Sequence, residues 1–167
     1  TGIEFGTAFV LQSPFFLYRV ELGDGALLDD FELASRLSFF LWNTTPDDEL
    51  LDAAESGGLS TSAGLLAQAE RMLDDPRARV GFRAFFRDYL QLAELDSLSK
   101  DPTIYKTYTS ALGPSSAEET LMLLDYLMFD LDADFRALMT TTTTFVDPTL
   151  AAVYDIPAPS AEGFARV

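Results

Sequence analysis

Apolar residues recur along most of the chain at intervals of three and four residues, a spacing that predicts amphipathic helices. In one segment Phe82, Phe85, Phe86 and Tyr89 follow the positions i, i+3, i+4 and i+7, and an arginine stripe at positions 79, 83 and 87 lies beside them. Alternation with a period of two hardly appears. The pattern predicts an all-α fold, a compact bundle of about seven to nine short-to-medium helices with little or no sheet.

Aspartates mark several of the predicted helix starts. Asp47, Asp75 and Asp147 each precede a helical pattern, and a proline directly follows the last two, which suits the first turn of a helix. Past residue 155 the helical pattern gives way to prolines and a glycine. The sequence therefore predicts a single helical domain over residues 1–155 and a linker at 156–167 towards a following domain.

One helix in the second half is apolar on nearly every side. Ser116 and Glu119 have the spacing of a capping box and predict that this helix begins there. Over residues 121–129 only Asp125 is polar, so the helix is either buried centrally or covered by a partner. The second alternative gives a possible interaction face on this helix, formed by Leu121, Leu124, Leu127 and Met128.

Two further segments are unusual in composition. Residues 1–12 predict a helix, and Pro14 restarts the chain into an aromatic segment. The longest apolar stretch, residues 9–20, contains polar residues and this proline, so we expect no membrane insertion. The five threonines at 140–144 predict an extended segment, because β-branched side chains disfavour helix.

Composition narrows the classes of function. The 167 residues include 27 acidic and 11 basic ones, a net charge of −16, so we expect binding neither to nucleic acid nor to anionic membrane surfaces. The chain contains no Cys and no His, which excludes thiolate nucleophiles, disulfides, His-ligated metals, covalent haem attachment and Ser-His or Cys-His pairs. Since 48% of its residues are hydrophobic, the chain is not a disordered acidic tail.

Three carboxylates at alternate positions suggest a calcium site. Asp130, Asp132 and Asp134 have the spacing of the first half of a calcium-binding loop. The second half is missing, since Phe135 stands where that loop needs Gly and Thr141 where it needs Glu. The alternative interpretation is a turn between two helices that an aspartate caps.

Asp125 is isolated among apolar neighbours. We expect it to form a buried or half-buried ion pair, with Arg19, Arg36 or Arg71 as the candidate partners. If it were buried without a partner, it would instead mark a functional site.

Several blocks of sequence go beyond what helix formation requires, namely residues 13–19 (SPFFLYR), 31–42 (FELASRLSFFLW), 46–51 (PDDELL) and 71–77 (RMLDDPR). In this order they resemble the planctomycete-specific domain families four and five, which are uncharacterised modules of large exported bacterial proteins. Asp155 stands where those families usually have Gly. The resemblance covers nearly the whole chain and implies no catalytic residues.

The resemblance implies a location for the protein and a kind of neighbouring domain. Such modules are followed by domains with c-type haem motifs, so it implies a periplasmic or extracellular location, neighbouring domains as partners, and haem only on those domains. Residues of the shared blocks have a structural interpretation, because their arginines can tie helices to acids. The expected structural ion pairs involve Glu32, Arg36, Arg71, Asp75 and Arg77.

These observations lead to one hypothesis and two alternatives. The hypothesis is a non-catalytic helical scaffold or interaction module within a larger exported, cytochrome-associated protein. The first alternative is a carboxylate-based hydrolase acting on glycans, with acids such as Asp47, Glu49, Glu119 or Asp125. The second is a calcium-binding or ligand-binding module that uses the three alternating aspartates.

Overall fold

The computed structural model describes residues 1–18, 20–23 and 27–167. It confirms the all-α prediction, because helices dominate the described residues and seven of them have at least seven residues. The α-helices are α1 (Gly2–Leu11), α2 (Pro14–Leu17), α3 (Asp30–Trp42), α4 (Asp48–Glu55), α5 (Ser62–Asp74), α6 (Pro76–Tyr89), α7 (Leu112–Asp125) and α8 (Pro148–Tyr154).

Shorter elements connect and extend these helices. A π-helical turn continues α7, and the only sheet among the described residues has two strands, β1 and β2. The strands pair antiparallel, with Phe145 opposite Arg166 and Val146 opposite Ala165. The short elements are the 3-10 helices Gly58–Ser60, Leu92–Ser97 and Phe135–Met139, the π-helix Tyr126–Asp130, and the strands Phe145–Val146 (β1) and Ala165–Arg166 (β2).

The three predicted aspartate caps are confirmed. The carboxylate of Asp47 accepts a hydrogen bond from the backbone N–H of Leu50, and that of Asp147 accepts one from Leu150, at 3.1 and 2.8 Å. Asp75 accepts one from the N–H of Arg77 at 2.8 Å. Each bond satisfies a donor that the first turn of a helix cannot satisfy internally, so α4, α6 and α8 begin where the sequence places them.

The predicted start of α7 at Ser116 is wrong. The helix begins at Leu112, so Ser116 and Glu119 lie inside it and form no capping box. The first turn of α7 precedes the capping-box pattern and makes a tertiary contact. The hydroxyl of Ser115 donates to Asp147 at 2.6 Å, and this contact fixes the first turn of α7 against the start of α8.

The described residues form two compact units, whereas the sequence predicts one domain over residues 1–155. Unit 1 comprises Thr1–Phe40 and Thr44–Met72, and unit 2 comprises Leu41–Asn43 and Leu73–Val167. In unit 1 the fully buried side chains come from helices α3 to α5 and the 3-10 turn between them. They are Ala34, Ser38, Leu50, Leu59 and Met72.

Two apolar clusters are formed by described residues of unit 2. The first joins α6, α7 and the 3-10 helix before α7, and its buried members are Phe86, Leu92, Ala117, Leu121 and Leu124. The second joins β1 and α8 through Val146, Leu150 and Ala151, against which Leu112 and Phe164 pack. Both clusters bury side chains of α7, which is therefore the central helix of unit 2.

The prediction of a linker at 156–167 is wrong over its last residues. Phe164 packs against the second cluster of unit 2, and β2 pairs with β1. The guanidinium of Arg166 also donates to the hydroxyl of Tyr126 at 2.6 Å. A strand of two residues is too short to show a period of two in the sequence, and the prolines before it indicate only a turn. Of the segment predicted to be extended, 140–144, Thr140 lies in the turn after the preceding 3-10 helix, and residues 141–144 lead without helix into β1.

Candidate functional site

The interaction face that the sequence predicts on α7 is part of the core. Leu124 is only 1% exposed, and Leu121 and Leu127 are buried as well. Met128 is half-buried. The prediction was wrong because the apolar helix is covered within unit 2, by side chains of α6 and of the 3-10 helix before α7.

The three alternating aspartates do not form a cation site. Asp130 accepts a hydrogen bond from Arg79 at 2.9 Å, and Asp134 caps the 3-10 helix that follows it and binds Arg136 at 2.6 Å. Asp132 has a left-handed backbone, with φ at 47°. Among the described residues no three acidic side chains lie together as metal ligands. The turn interpretation, with an aspartate cap, is the one that the structure adopts.

Asp125 forms an ion pair with Arg83, which is not among the partners predicted from the sequence. Its side chain is 9% exposed, and its Oδ2 accepts a hydrogen bond from Arg83 Nη1 at 2.8 Å. Arg83 also binds Glu118 at 2.5 Å, so one guanidinium holds two carboxylates of α7. Burial opposes the charge of Arg83, but the hydrogen bonds to Asp125 and Glu118 outweigh it and raise the pKa of the guanidinium.

The expected partners of Asp125 are engaged elsewhere or not described. Arg36 binds Glu21 and Arg71 binds Asp47, whereas Arg19 lies outside the described residues. A signal for the correct pairing was present in the sequence. Arg83 belongs to the arginine stripe of α6, and this stripe is the feature of the sequence that indicates the pairing.

Arg71 and Arg77, two of the arginines expected to form ion pairs, each contact an acid at the start of a helix. Arg71 contacts Asp47 at 3.0 Å and Glu49 at 3.2 Å, which joins α5 to the start of α4. Arg77 binds Asp75, the cap of its own helix, at 2.7 Å. These contacts are structural, since each one fixes a helix start.

Glu32 and Arg36 attract each other electrostatically, but their hydrogen bonds are made to other groups. The carboxylate of Glu32 accepts backbone N–H bonds from Leu22, Gly23 and Asp29, and these bonds, led by that from Gly23, lower the pKa of Glu32. Arg36 instead forms its ion pair with Glu21. Residues 21–23 are thus held along α3 by two side chains, which anchors the segment that leads back to α2.

The acids considered for glycan hydrolysis are also bound to other groups. Asp47 and Glu49 contact Arg71, and Asp125 contacts Arg83. Glu119 accepts hydrogen bonds from the hydroxyls of Thr144 and Tyr154, at 2.6 and 2.7 Å. Burial, with this hydrogen bond and the charge of Glu119, raises the pKa of Tyr154 to about 12.

Tyr154 should therefore ionise at a higher pH than an ordinary tyrosine side chain. Its neutral form is the one that the fold stabilises, so this contribution to stability is complete below pH 10 and is lost as the pH rises from about 10 to about 12. Ultraviolet difference absorbance should show a tyrosine ionisation near pH 12. Glu119→Gln should move that ionisation to lower pH. The absence of any tyrosine ionisation near pH 12 would contradict the assignment.

The most exposed apolar surface lies on α1 and α2, which we call the N-terminal arm (residues 2–18). Neither helix has a buried residue. Ile3, Phe5, Phe9 and Phe15 are 79–82% exposed. Exposed apolar residues clustered in this way mark interaction sites, whereas isolated ones are common on protein surfaces. The sequence shows that the arm is apolar, but it does not show that its side chains are exposed to solvent.

Two physical reasons indicate that the N-terminal arm needs a packing partner to be stable. A helix of ten residues is marginal in water without tertiary packing, and α1 has two glycines within it. A helix that is apolar on all sides is stable when it is buried. The arm does not provide a membrane span, because no helix among the described residues has the length and apolar content to cross a bilayer.

Comparison with known proteins gives one match. The model of a family described as PSD4, a protein of unknown function (DUF1592), matches residues 28–156, which is more than half of the chain. This confirms the predicted relation to an uncharacterised domain family. The matched region contains α3 to α8 and excludes the arm. No curated protein and no solved structure matches the chain.

Proposed function

We propose that the chain is a non-catalytic interaction module that docks through its N-terminal arm. The chain belongs to the PSD4 family of proteins of unknown function (DUF1592), so the proposal rests on its geometry. The observation that carries the proposal is the absence of any buried residue in α1 and α2. The partner is an apolar surface on a neighbouring domain of the same polypeptide. That larger protein is exported and cytochrome-associated, as the sequence resemblance implies.

Charge favours a neighbouring domain over a second copy of the chain. The whole chain carries a net charge of −16, so two copies repel each other. Within residues 1–18, Glu4 is the only Asp, Glu, Lys or Arg. The arm therefore suits a partner whose apolar surface has a neutral or basic rim. Linkage in one polypeptide also raises the effective concentration of the partner.

The exposed area on the arm is large enough for a specific interface. Ile3, Phe5, Phe9, Phe15 and Phe16 are each more than half exposed. At roughly 150 Å² or more for each side chain, they offer about 800 Å² of apolar surface, the share of one partner in a standard interface. Burial of this area would also stabilise α1 as a helix.

Titration calorimetry against the remainder of the natural polypeptide tests the proposal. We expect saturable binding with a negative heat-capacity change, since apolar surface is removed from water. Replacing Phe5 and Phe9 with Ser should weaken the binding at least a hundredfold. The melting temperature of the chain alone should stay unchanged, because both side chains are already in solvent.

Val80→Ser provides the matched control. Val80 is 64% exposed but belongs to α6 of unit 2 and not to the arm, so this variant should bind as the wild type does. An absence of binding, or equal losses in the arm variant and the control, would refute docking through the arm.

A further inference from the structure

The apolar face of α3 is covered on one side only. Ala34 and Ser38 are fully buried in unit 1. The stripe beside them follows the positions i, i+3, i+4 and i+7 and lines an open groove with one residue of α5. The lining residues are Leu33, Arg36, Leu37, Phe40 and Leu65. Phe40 is 79% exposed, so this half of the face lacks the packing that an apolar stripe normally has.

The groove suits apolar side chains and not a polar ligand. Its volume is about 240 Å³, below the roughly 300 Å³ of drug-sized sites, and four of its five lining residues are apolar. The charged group on its lining, the guanidinium of Arg36, already donates to Glu21, with 3.1 Å between Nε and Oε1. A polar ligand would therefore lose its hydrogen bonds to water without gaining others in the groove.

The N-terminal arm is attached at the rim of this groove. Glu21 is bound to Arg36, which lines the groove, and two residues separate Glu21 from Tyr18 at the end of the arm. The Cα atoms of Tyr18 and Glu21 are consequently at most about 11 Å apart. A helix is about 10 Å wide, so one partner surface seated on the arm can also reach the groove. Both belong to unit 1.

We propose that the neighbouring domain that covers the arm also lays an amphipathic helix in this groove, with apolar side chains at intervals of three and four residues against Leu37 and Phe40. The inference rests on the proposed function, since it assumes docking through the arm. A helix is the element that suits a groove formed by helices, because side-chain ridges of one helix fit between those of another. The net charge of −16 opposes a second copy of the chain here as well.

The groove would give the interaction specificity. It adds Phe40 and three leucines to the roughly 800 Å² of apolar surface that the arm offers. A partner must then match two surfaces that are joined at the pair of Glu21 and Arg36, whereas the arm alone would accept any apolar surface.

Titration against the remainder of the natural polypeptide measures the contribution of the groove. Phe40→Ser should weaken the binding at least tenfold and leave the melting temperature of the chain unchanged, because the side chain is already in solvent. Leu66→Ser is the matched control. Leu66 is 58% exposed on α5 but does not line the groove, so this variant should bind as the wild type does. Equal binding by the two variants would overturn the proposal.

Photochemical cross-linking in the intact natural polypeptide separates the groove from the arm. With p-benzoylphenylalanine in place of Phe40, irradiation should attach the groove to a helix of the neighbouring domain, and the same replacement of Phe9 should attach the arm to that domain. Cross-linking from Phe9 but not from Phe40 would overturn the groove and leave docking through the arm intact. No cross-linking from Phe9 would refute docking through the arm, and with it the shared partner. A cross-link from Phe40 to a strand or loop would also contradict the proposal.

Discussion

Replacing Arg83 with Met should lower the free energy of unfolding by about 3 kcal/mol, because it leaves a buried carboxylate without its ion-pair partner. Asp125 is 9% exposed, and its Oδ1 already has no hydrogen-bond partner among the described protein groups. Arg79, at 3.9 Å, compensates only in part. A loss of this size corresponds to a melting temperature lower by roughly 6–12 °C. Thermal and urea unfolding of the two proteins measure it.

Two further variants test the cause. Arg87→Met removes a pair whose partners are both about half exposed, so it should change the stability by no more than about 1 kcal/mol. Asp125→Asn in the Arg83→Met background should restore part of the lost stability, because it removes the uncompensated charge. Equal losses in Arg83→Met and Arg87→Met would contradict this account of α6 and α7.

Replacing Gly113 with Ala should destabilise unit 2 by about 3 kcal/mol, at the upper end for an overpacked site. A Cβ atom at this position would lie 1.9 Å from the backbone oxygen of Leu95. Because the obstacle is backbone and not the end of a flexible side chain, α7 and the 3-10 helix Leu92–Ser97 have to move apart. Urea unfolding should show a lower midpoint.

Gly6→Ala is the matched control for this substitution. Gly6 lies within α1, and a Cβ atom added there would meet no atom within 4 Å, so Ala adds only helix propensity. We expect its melting temperature to equal that of the wild type or to exceed it slightly. If Gly113→Ala is as stable as Gly6→Ala, the close approach of α7 to Leu95 is incorrect.

Local signals in the sequence were sufficient for much of the fold. Asp47, Asp75 and Asp147 act within their own first turns, so their effect is readable without knowledge of the tertiary structure. The start of α7 depends instead on Ser115 meeting Asp147, which is 32 residues away. Contacts at that separation leave no local pattern, which is why the capping-box prediction failed.

The site predictions failed for a related reason. The apolar sequence pattern of α7 would be the same if a partner protein covered the helix or if unit 2 itself did. The burial of Leu124 in the structure shows that unit 2 covers it. The partner of Asp125 likewise depends on which helix lies beside α7. In contrast, Asp155 adopts a left-handed backbone, with φ at 56°, a conformation that ends α8 and that glycine adopts most easily.

Hydrogen exchange of the α1 amides tests the central proposal most directly, because it reads the burial of the arm itself. In the chain alone these amides should exchange nearly as fast as in an unfolded peptide, since α1 has no buried residue. In the intact natural polypeptide the proposal predicts that they become as protected as the amides of α3. If α1 exchanges as fast in the intact polypeptide as in the chain alone, the arm is not a docking surface.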